Sequence, residues 1–373
     1  MMTKNLRVPF ADLSYQWREI EAEAKPAFDE LFHRSAFCLG PWTENFEKNY
    51  AAAHQTAFAI GLSSGTAALH LALIAAGIQP GDEVLLPAHT FIATAWPVLY
   101  IGAKPILCDV DPVTGTIDPS DVVRRITPKA KAIIPVHLYG QPANLQKIIE
   151  IAKEHQLILI EDAAQAHLAR YDSKPVGSFG LMGCFSFYPG KNLGAAGESG
   201  MIITENPEIA QKVRMLRNHG QSKRYVHEEL GFNYRMEGIQ GLILDLKLKK
   251  LNQWTERRRE IARRYNQGLE GLPLVTTPKI INGDHVFHLY VIRVKARTEL
   301  QNFLLENGIE TGLHYPVPLH HQPIFMKRYG TQISLPETEK FSAECLSLPI
   351  YYGMTDTQVD MVTDAVHTWA RRQ

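Results

Sequence analysis

The chain has 373 residues, enough for one large body and one smaller one, each with its own core. Its 39 basic residues balance 39 acidic ones, which excludes a bulk electrostatic pull toward nucleic acid or a membrane surface, so an anionic ligand must be held locally. The four cysteines, Cys38, Cys108, Cys184 and Cys345, are far apart and show no CxxC spacing, the pattern of reduced thiols in a cytoplasmic protein without metal or disulfides.

The opening stretch, MMTKNLRVPFADLSYQWREI, mixes acidic and polar residues and has no apolar signal-peptide run, and no later run suits a membrane span, so neither export nor insertion is expected. From about residue 57, short apolar runs alternate with amphipathic stretches: TAFAIG, TAALHLALIAAG, EVLLP, TFIATAWPVLYIG, KPILCDV, KAIIPV, LQKIIEIAKEH, LILIED. That alternation predicts an α/β fold with a mostly parallel sheet flanked by helices. Gly77 closes a helix and Pro80-Gly81-Asp82 leads into the next strand. MIITEN at 201–206 reads as a further strand before the helix PEIAQKVRMLRNHG. One long helical stretch covers roughly 237–270, after which LPLVTTP and VFHLYVIRV read as strands. This change of composition sets the expected division: residues 1–254 as an N-terminal segment with the large domain, and 255–373 as a small C-terminal α+β domain.

Three segments carry chemistry. Asp162 follows the apolar run of LILIED, and ligands of open α/β sheets sit at the carboxyl ends of strands; the alternative is a helix N-cap before Ala163. In CFSFYPGKNLGAAGESG, Lys191 follows an aromatic strand and is bracketed by small residues, a setting in which an amine is desolvated and made nucleophilic for a Schiff base. The turn Gly61-Leu62-Ser63-Ser64-Gly65-Thr66 joins a strand to a helix, where free N–H groups and hydroxyls make a phosphate seat, although Ser or Thr before a helix is also ordinary capping. Pyridoxal 5′-phosphate (PLP) needs these three things: a lysine for its aldehyde, an acid for its pyridine nitrogen and a seat for its phosphate.

Over nearly its whole length the chain resembles the DegT/DnrJ/EryC1/StrS family of sugar aminotransferases. The matching segments are VPFADL, FCLGPWTENFEKNYA, GLSSGTAALHLAL, GDEVLLPAHTFIATA, GAKPILCDVDP, IIPVHLYGQPAN, LIEDAAQAHLA, CFSFYPGKNLGAAGESG, RNHGQ, ELGFNYRMEGIQ and GLHYPVPLHHQP. The resemblance implies the type I PLP fold with a seven-stranded sheet, and a homodimer with shared active sites. Relatives that replace the lysine with histidine use PLP for dehydration; this chain keeps Lys191. Residue by residue, the resemblance implies that Lys191 carries the cofactor, Asp162 binds the pyridine nitrogen and Gln165 touches the phenolic oxygen or ring. Thr66, Ala67 and Ser186 would hold the phosphate, reached also by Asn233 of the neighbouring subunit. Phe91 would stack on the ring, its alternative being a core side chain. His314, Tyr315 and His320 would meet the substrate, with a surface or core histidine as the plainer meaning of each imidazole.

The implied reaction passes an amino group from L-glutamate to the cofactor and on to a nucleotide-linked keto-sugar. SFYPGKNLGAAGE is similar to the branch acting on 3-keto-sugars, which gives a dTDP-3-keto-6-deoxyhexose as the expected acceptor. Lys223, Arg224 and Arg235 are candidates for its diphosphate, a surface cation being the commoner role. Ala196 and Glu198-Ser199 depart from the branch pattern beside the cofactor. The competing readings are a 4-keto-sugar or cyclitol aminotransferase, and a PLP-binding regulator without turnover. The intact lysine and the lack of a basic helix-turn-helix segment oppose the regulator.

Overall fold

The computed structural model describes residues 7–330 and 333–373, so the part of the opening stretch before residue 7 lies outside it. Two helices open the described chain, α1 (Ser14–His33) and α2 (Pro41–Ala53). The α/β series then runs β1 (Phe58–Leu62), α3 (Gly65–Ala75), β2 (Glu83–Pro87), α4 (Trp96–Tyr100), β3 (Lys104–Cys108), α5 (Pro119–Arg125), β4 (Ala130–Ile133), α6 (Leu145–Glu154) and β5 (Ile158–Asp162). A two-residue ribbon, β6 (Arg170–Tyr171) with β7 (Lys174–Pro175), precedes β8 (Met182–Ser186), β9 (Gly200–Thr204) and α7 (Pro207–Leu216).

Seven strands form one sheet in the order β1-β9-β8-β5-β4-β2-β3. Only β9 runs against its neighbours, pairing antiparallel with both β1 and β8, so the mostly parallel sheet expected from the sequence is present. Strand β2, flanked by β4 and β3, is buried on both faces, which explains why EVLLP carries no polar alternation inside the strand. The helices start where side chains satisfy their free N–H groups: Ser64 caps α3, Asn144 caps α6 and Asn206 caps α7. Gly77 lies just past α3 at φ +79°, the left-handed geometry of a helix stop. Ile60, Leu71, Val84, Leu86 and Ile202 are among the fully buried side chains between sheet and helices, each worth about 1.5–3 kcal/mol on burial.

Beyond the sheet come the exposed hairpin β10 (Gln221–Lys223) with β11 (Val226–His227), then α8 (Gly238–Leu248) and α9 (Leu251–Leu269). The single helix expected over 237–270 is therefore broken at Lys249–Lys250, where there is neither Gly nor Pro. Tertiary packing overrides local propensity there: Leu251 sits in the core of the large body, and Ile261, Ala262 and Tyr265 sit in a second core. That second core also contains β12 (Tyr290–Arg293), α10 (Arg297–Glu306), β13 (Cys345–Leu348) and α13 (Asp356–Ala370), together with Val8. The stretch LPLVTTP is not a strand; it makes one isolated bridge, Thr276 to Arg293, between two prolines that interrupt a ladder. Between β12 and β13 lie α11 (Pro323–Tyr329) and α12 (Pro336–Glu344), and Leu319, Phe325 and Leu335 from this region return to the large core. We propose the division near residue 255, within α9, and the C-terminal part lends side chains to both cores. All four cysteines are free, and no helix among the described residues is long and apolar enough to cross a membrane.

Candidate active site

The carboxyl ends of β1, β2, β5 and β8 open together onto one cavity of about 970 Å³. Its wall includes Ser64, Gly65 and Thr66 after β1, Thr90, Phe91 and Thr94 after β2, Asp162 and Gln165 at β5, and Ser186, Tyr188 and Lys191 after β8. The C-terminal part adds Arg258, His288, His314, Tyr315 and Tyr351, and the N-terminal segment adds Phe10 to Leu13.

Asp162 is the last residue of β5 and no helix follows it, which removes the capping alternative. Its carboxylate is buried and held by one donor on each oxygen: Thr94 Oγ1 donates to Oδ2 at 2.8 Å and the Ala164 N–H donates to Oδ1 at 3.1 Å. Burial raises its pKa, and those donors together with the Lys191 charge pull it back toward the ionised form. Lys191 Nζ makes no hydrogen bond among the described residues although the lysine lines the same cavity. The stem reaches cavity solvent, yet the surrounding protein desolvates the amine and brings its pKa down to about 8, with Asp162 opposing the shift. An uncommitted, partly neutral amine beside a held carboxylate is what a Schiff-base lysine requires.

The turn after β1 is crowded. A Cβ on Gly65 would stand 2.6 Å from Cβ of Ser186, and one on Gly200 would stand 2.2 Å from the Ser64 carbonyl oxygen. The start of α3 thus meets Ser186 through bare backbone, with two hydroxyls, Thr66 and Ser186, on the cavity wall. Ala67 does not line the cavity; its N–H is taken at 3.0 Å by the Ser64 cap, which leaves Gly65 and Thr66 as the open positions of that turn. Ser186 is oriented from behind by His167, which bonds the Ser186 carbonyl through Nε2 at 2.9 Å and Tyr50 through Nδ1 at 2.9 Å.

Gln165 is committed at both ends, accepting from the Tyr139 N–H at 2.6 Å and donating to the Tyr315 hydroxyl at 3.0 Å. Phe91 is not a core residue: it is 53% exposed on the cavity, 5.6 Å from the Tyr315 ring. His314 stacks on Phe10 and bonds Ser347 at 2.9 Å, and burial lowers its pKa to about 4, so it is neutral near pH 7.

Other expected residues lie elsewhere. His320 is buried away from the cavity with Nε2 3.2 Å from Glu339; with His321 and Glu339 it makes the one group among the described residues able to hold a metal ion. Lys223 and Arg224 stand exposed on the β10–β11 hairpin, Arg235 donates to Asn218 at 3.0 Å, and Asn233 is exposed; none lines the cavity of this chain. Sequence reading missed Thr94, Arg258 and His288. The pair Thr90 and Thr94, four residues apart with hydroxyls 2.9 Å from each other, is the feature that points to the first. Arg258 was hidden in the charged run ERRREIARR, where its helical spacing from Trp254, Ile261 and Ala262 is the signal that sets it on the buried face.

A transaminase of Streptomyces venezuelae, named dTDP-3-amino-3,4,6-trideoxy-alpha-D-glucose transaminase, is 42% identical over 367 residues, covering 98% of this chain and 97% of that one. The Pleiotropic regulatory protein of Geobacillus stearothermophilus is 46% identical over 369 residues, covering 98% and 99%. Among solved structures, S. venezuelae DesV in complex with a ketimine intermediate superposes with a TM-score of 0.96 at 42% identity, covering 98% of this chain and 99% of that one. The family model described as the DegT/DnrJ/EryC1/StrS aminotransferase family matches residues 18–367, and with relatives this similar along their full length the chain belongs to that family.

Proposed function

We propose that this chain binds PLP through Lys191 and transfers an amino group from L-glutamate to a nucleotide-linked keto-sugar, a dTDP-3-keto-6-deoxyhexose becoming the dTDP-3-amino-3,6-dideoxyhexose. The observation that carries the reading is the convergence of an uncommitted Lys191, a held Asp162 and the Gly65–Thr66/Ser186 seat on one cavity. The S. venezuelae relative, by its name a transaminase of a dTDP-3-amino sugar, supports the acceptor class.

PLP, when bound, supplies an electron-withdrawing ring and carries the amino group between the two substrates. Gly65, Thr66 and Ser186 would hold its phosphate, Asp162 its pyridine nitrogen and Lys191 its aldehyde carbon. Asp162, whose ionised form is favoured by the hydrogen bonds from Thr94 and Ala164, would hold a proton on that nitrogen. Lys191 Nζ, with its pKa near 8, would move the proton from the donor's α-carbon to the cofactor's C4′ and, in the second half of the cycle, from C4′ to the sugar carbon that receives the amino group. Gln165 fixes the Tyr315 hydroxyl, and Phe91 with Tyr315 offers an aromatic wall for a flat ring. Asn233 and the β10–β11 cations, which face away from this protomer's cavity, would serve the site of a second copy in a homodimer in the cytoplasm.

A second reading, a PLP-binding regulator, is favoured by the name of the Geobacillus relative and opposed by the complete lysine–carboxylate pair. Visible absorption separates the two. Loss of the yellow colour with glutamate and its return with a 3-keto nucleotide sugar is the expected result; a colour that glutamate never changes would overturn turnover, and return only with a 4-keto sugar would move the regiochemistry.

A further inference from the structure

Arg258 of α9 is 6% exposed, yet it lines the cavity that holds Lys191 and Asp162. Its Nη1 donates to three backbone carbonyls, those of Phe287 at 3.0 Å, His288 at 3.2 Å and Ile350 at 3.1 Å. Nε and Nη2 make no hydrogen bond among the described residues and are not sealed inside the protein, so both remain open to the cavity. Among the described residues no carboxylate pairs with the group, and burial alone brings its pKa down to about 10. Arg217, a buried guanidinium of the large body, is built differently: Glu47 pairs with it and the Gly61 carbonyl accepts from it. A buried cation without a counter-ion is costly unless a ligand brings the charge.

His288 stands next to it on the cavity wall, its Nδ1 buried without a partner. Desolvation, with the charges of Lys191 and Arg258 nearby, holds this imidazole neutral, so the ring offers hydrogen bonding without adding charge.

The anion that Arg258 takes is not the cofactor phosphate, whose seat is built from the strand ends of the large body, whereas Arg258 and His288 come from α9 and the entry to β12. The two substrates of the proposed reaction differ in where their charge lies. A nucleotide sugar carries its anions on the diphosphate, away from the reacting carbonyl; an α-amino acid carries a carboxylate on the reacting carbon itself. We propose that Arg258 is the carboxylate-binding residue for the amino donor, with His288 beside it as a hydrogen-bonding neighbour. This inference rests on the aminotransferase reading.

The test uses the PLP-loaded full chain, with Arg258→Gln and Arg258→Lys checked for parental melting temperature. Loss of the lysine-bound absorbance is followed against L-glutamate for one half-reaction and against the amino-sugar product for the other. Binding of glutarate, a dicarboxylate that cannot transaminate, is measured by calorimetry. The half-saturating glutamate concentration is expected to rise about 30-fold or more in Arg258→Gln and to recover partly in Arg258→Lys, since a buried ionic hydrogen bond is lost and then replaced by a point charge. The amino-sugar side should stay within roughly threefold, and glutarate binding should weaken with the glutamate side. Equal losses in both half-reactions, as a strut tying Phe287 to Ile350 would give, overturn the assignment, as does no loss in either. If glutamate fails to change even the parental spectrum, the aminotransferase reading fails instead, and the glutarate titration still judges Arg258: equal affinity in parent and Arg258→Gln overturns it.

Discussion

Thr94 Oγ1 donates to Asp162 Oδ2 at 2.8 Å, and because an ionised carboxylate only accepts, the second hydroxyl in the chain must give its own proton, from Thr90 to Thr94 at 2.9 Å. This short relay favours the ionised form of Asp162 from the end of a different strand, against the burial that raises its pKa. Thr94→Val removes one of the donors that pull the Asp162 pKa down against burial. The acid limb of the pH–kcat profile should move up by roughly 1–2 units, with kcat near neutrality reduced about 10-fold, because a hydrogen bond to a charged group is worth about 1.5–3 kcal/mol. A profile that superimposes on the parent's would show that Thr94 does not tune the carboxylate.

Lys191 governs uptake of free PLP by the cofactor-stripped chain. Only the neutral amine attacks an aldehyde, and its pKa is lowered to about 8, so the rate of colour formation should climb with pH and level off above that value. The Asp162 charge raises the lysine pKa; Asp162→Ala should therefore reach its plateau at lower pH. Lys191→Ala should bind PLP without the lysine-bound colour and lose at least about 10³-fold in turnover. Normal turnover by that variant would sink the whole assignment.

On the opposite face of β5 from Asp162, fully buried Glu161 accepts from His137 Nε2 at 3.0 Å and from the N–H groups of Gly177, Phe179 and Gly180 at 2.7, 2.7 and 2.8 Å. His137 can donate from Nε2 because its Nδ1 accepts from the Ala143 N–H, which settles the tautomer. Glu161→Ala strands several buried donors and should cost about 3–5 kcal/mol, read as a lower urea midpoint at unchanged slope. A midpoint equal to the parent's would mean that water replaces the carboxylate at no cost.

The proposed sharing of sites between two copies can be tested by complementation. Lys191→Ala and Asn233→Asp chains, each inactive alone, should recover about a quarter of parental activity when unfolded together and refolded, since half of the dimers are mixed and each holds one intact site. Recovery absent despite proven mixed dimers would place Asn233 in its own protomer's chemistry.

The sheet was legible because buried strands and capped helices leave local marks: EVLLP, LILIED, Ser64 before TAALHLAL. Lys191 and Asp162 were legible because the small residues around one and the strand before the other are unusual for a charged side chain. What stayed hidden depends on distant contacts. The break at Lys249–Lys250 arises from two cores competing for one helix. The burial of His320 against Glu339 comes from α12, and the isolation of Arg258 from carboxylates is a property of the assembled cavity, invisible in a run of five arginines within ERRREIARR.

Leu319, Phe325 and Leu335 lie in the core of the large body although they come late in the chain. A ribosome that has delivered residues 1–254 has therefore not yet delivered three apolar side chains that the first core needs. The large body would wait, with an open apolar cleft, for the last third of the polypeptide. Cutting the gene at the division between bodies should accordingly yield an aggregating fragment, and adding the remaining segment in trans should restore solubility before it restores any chemistry.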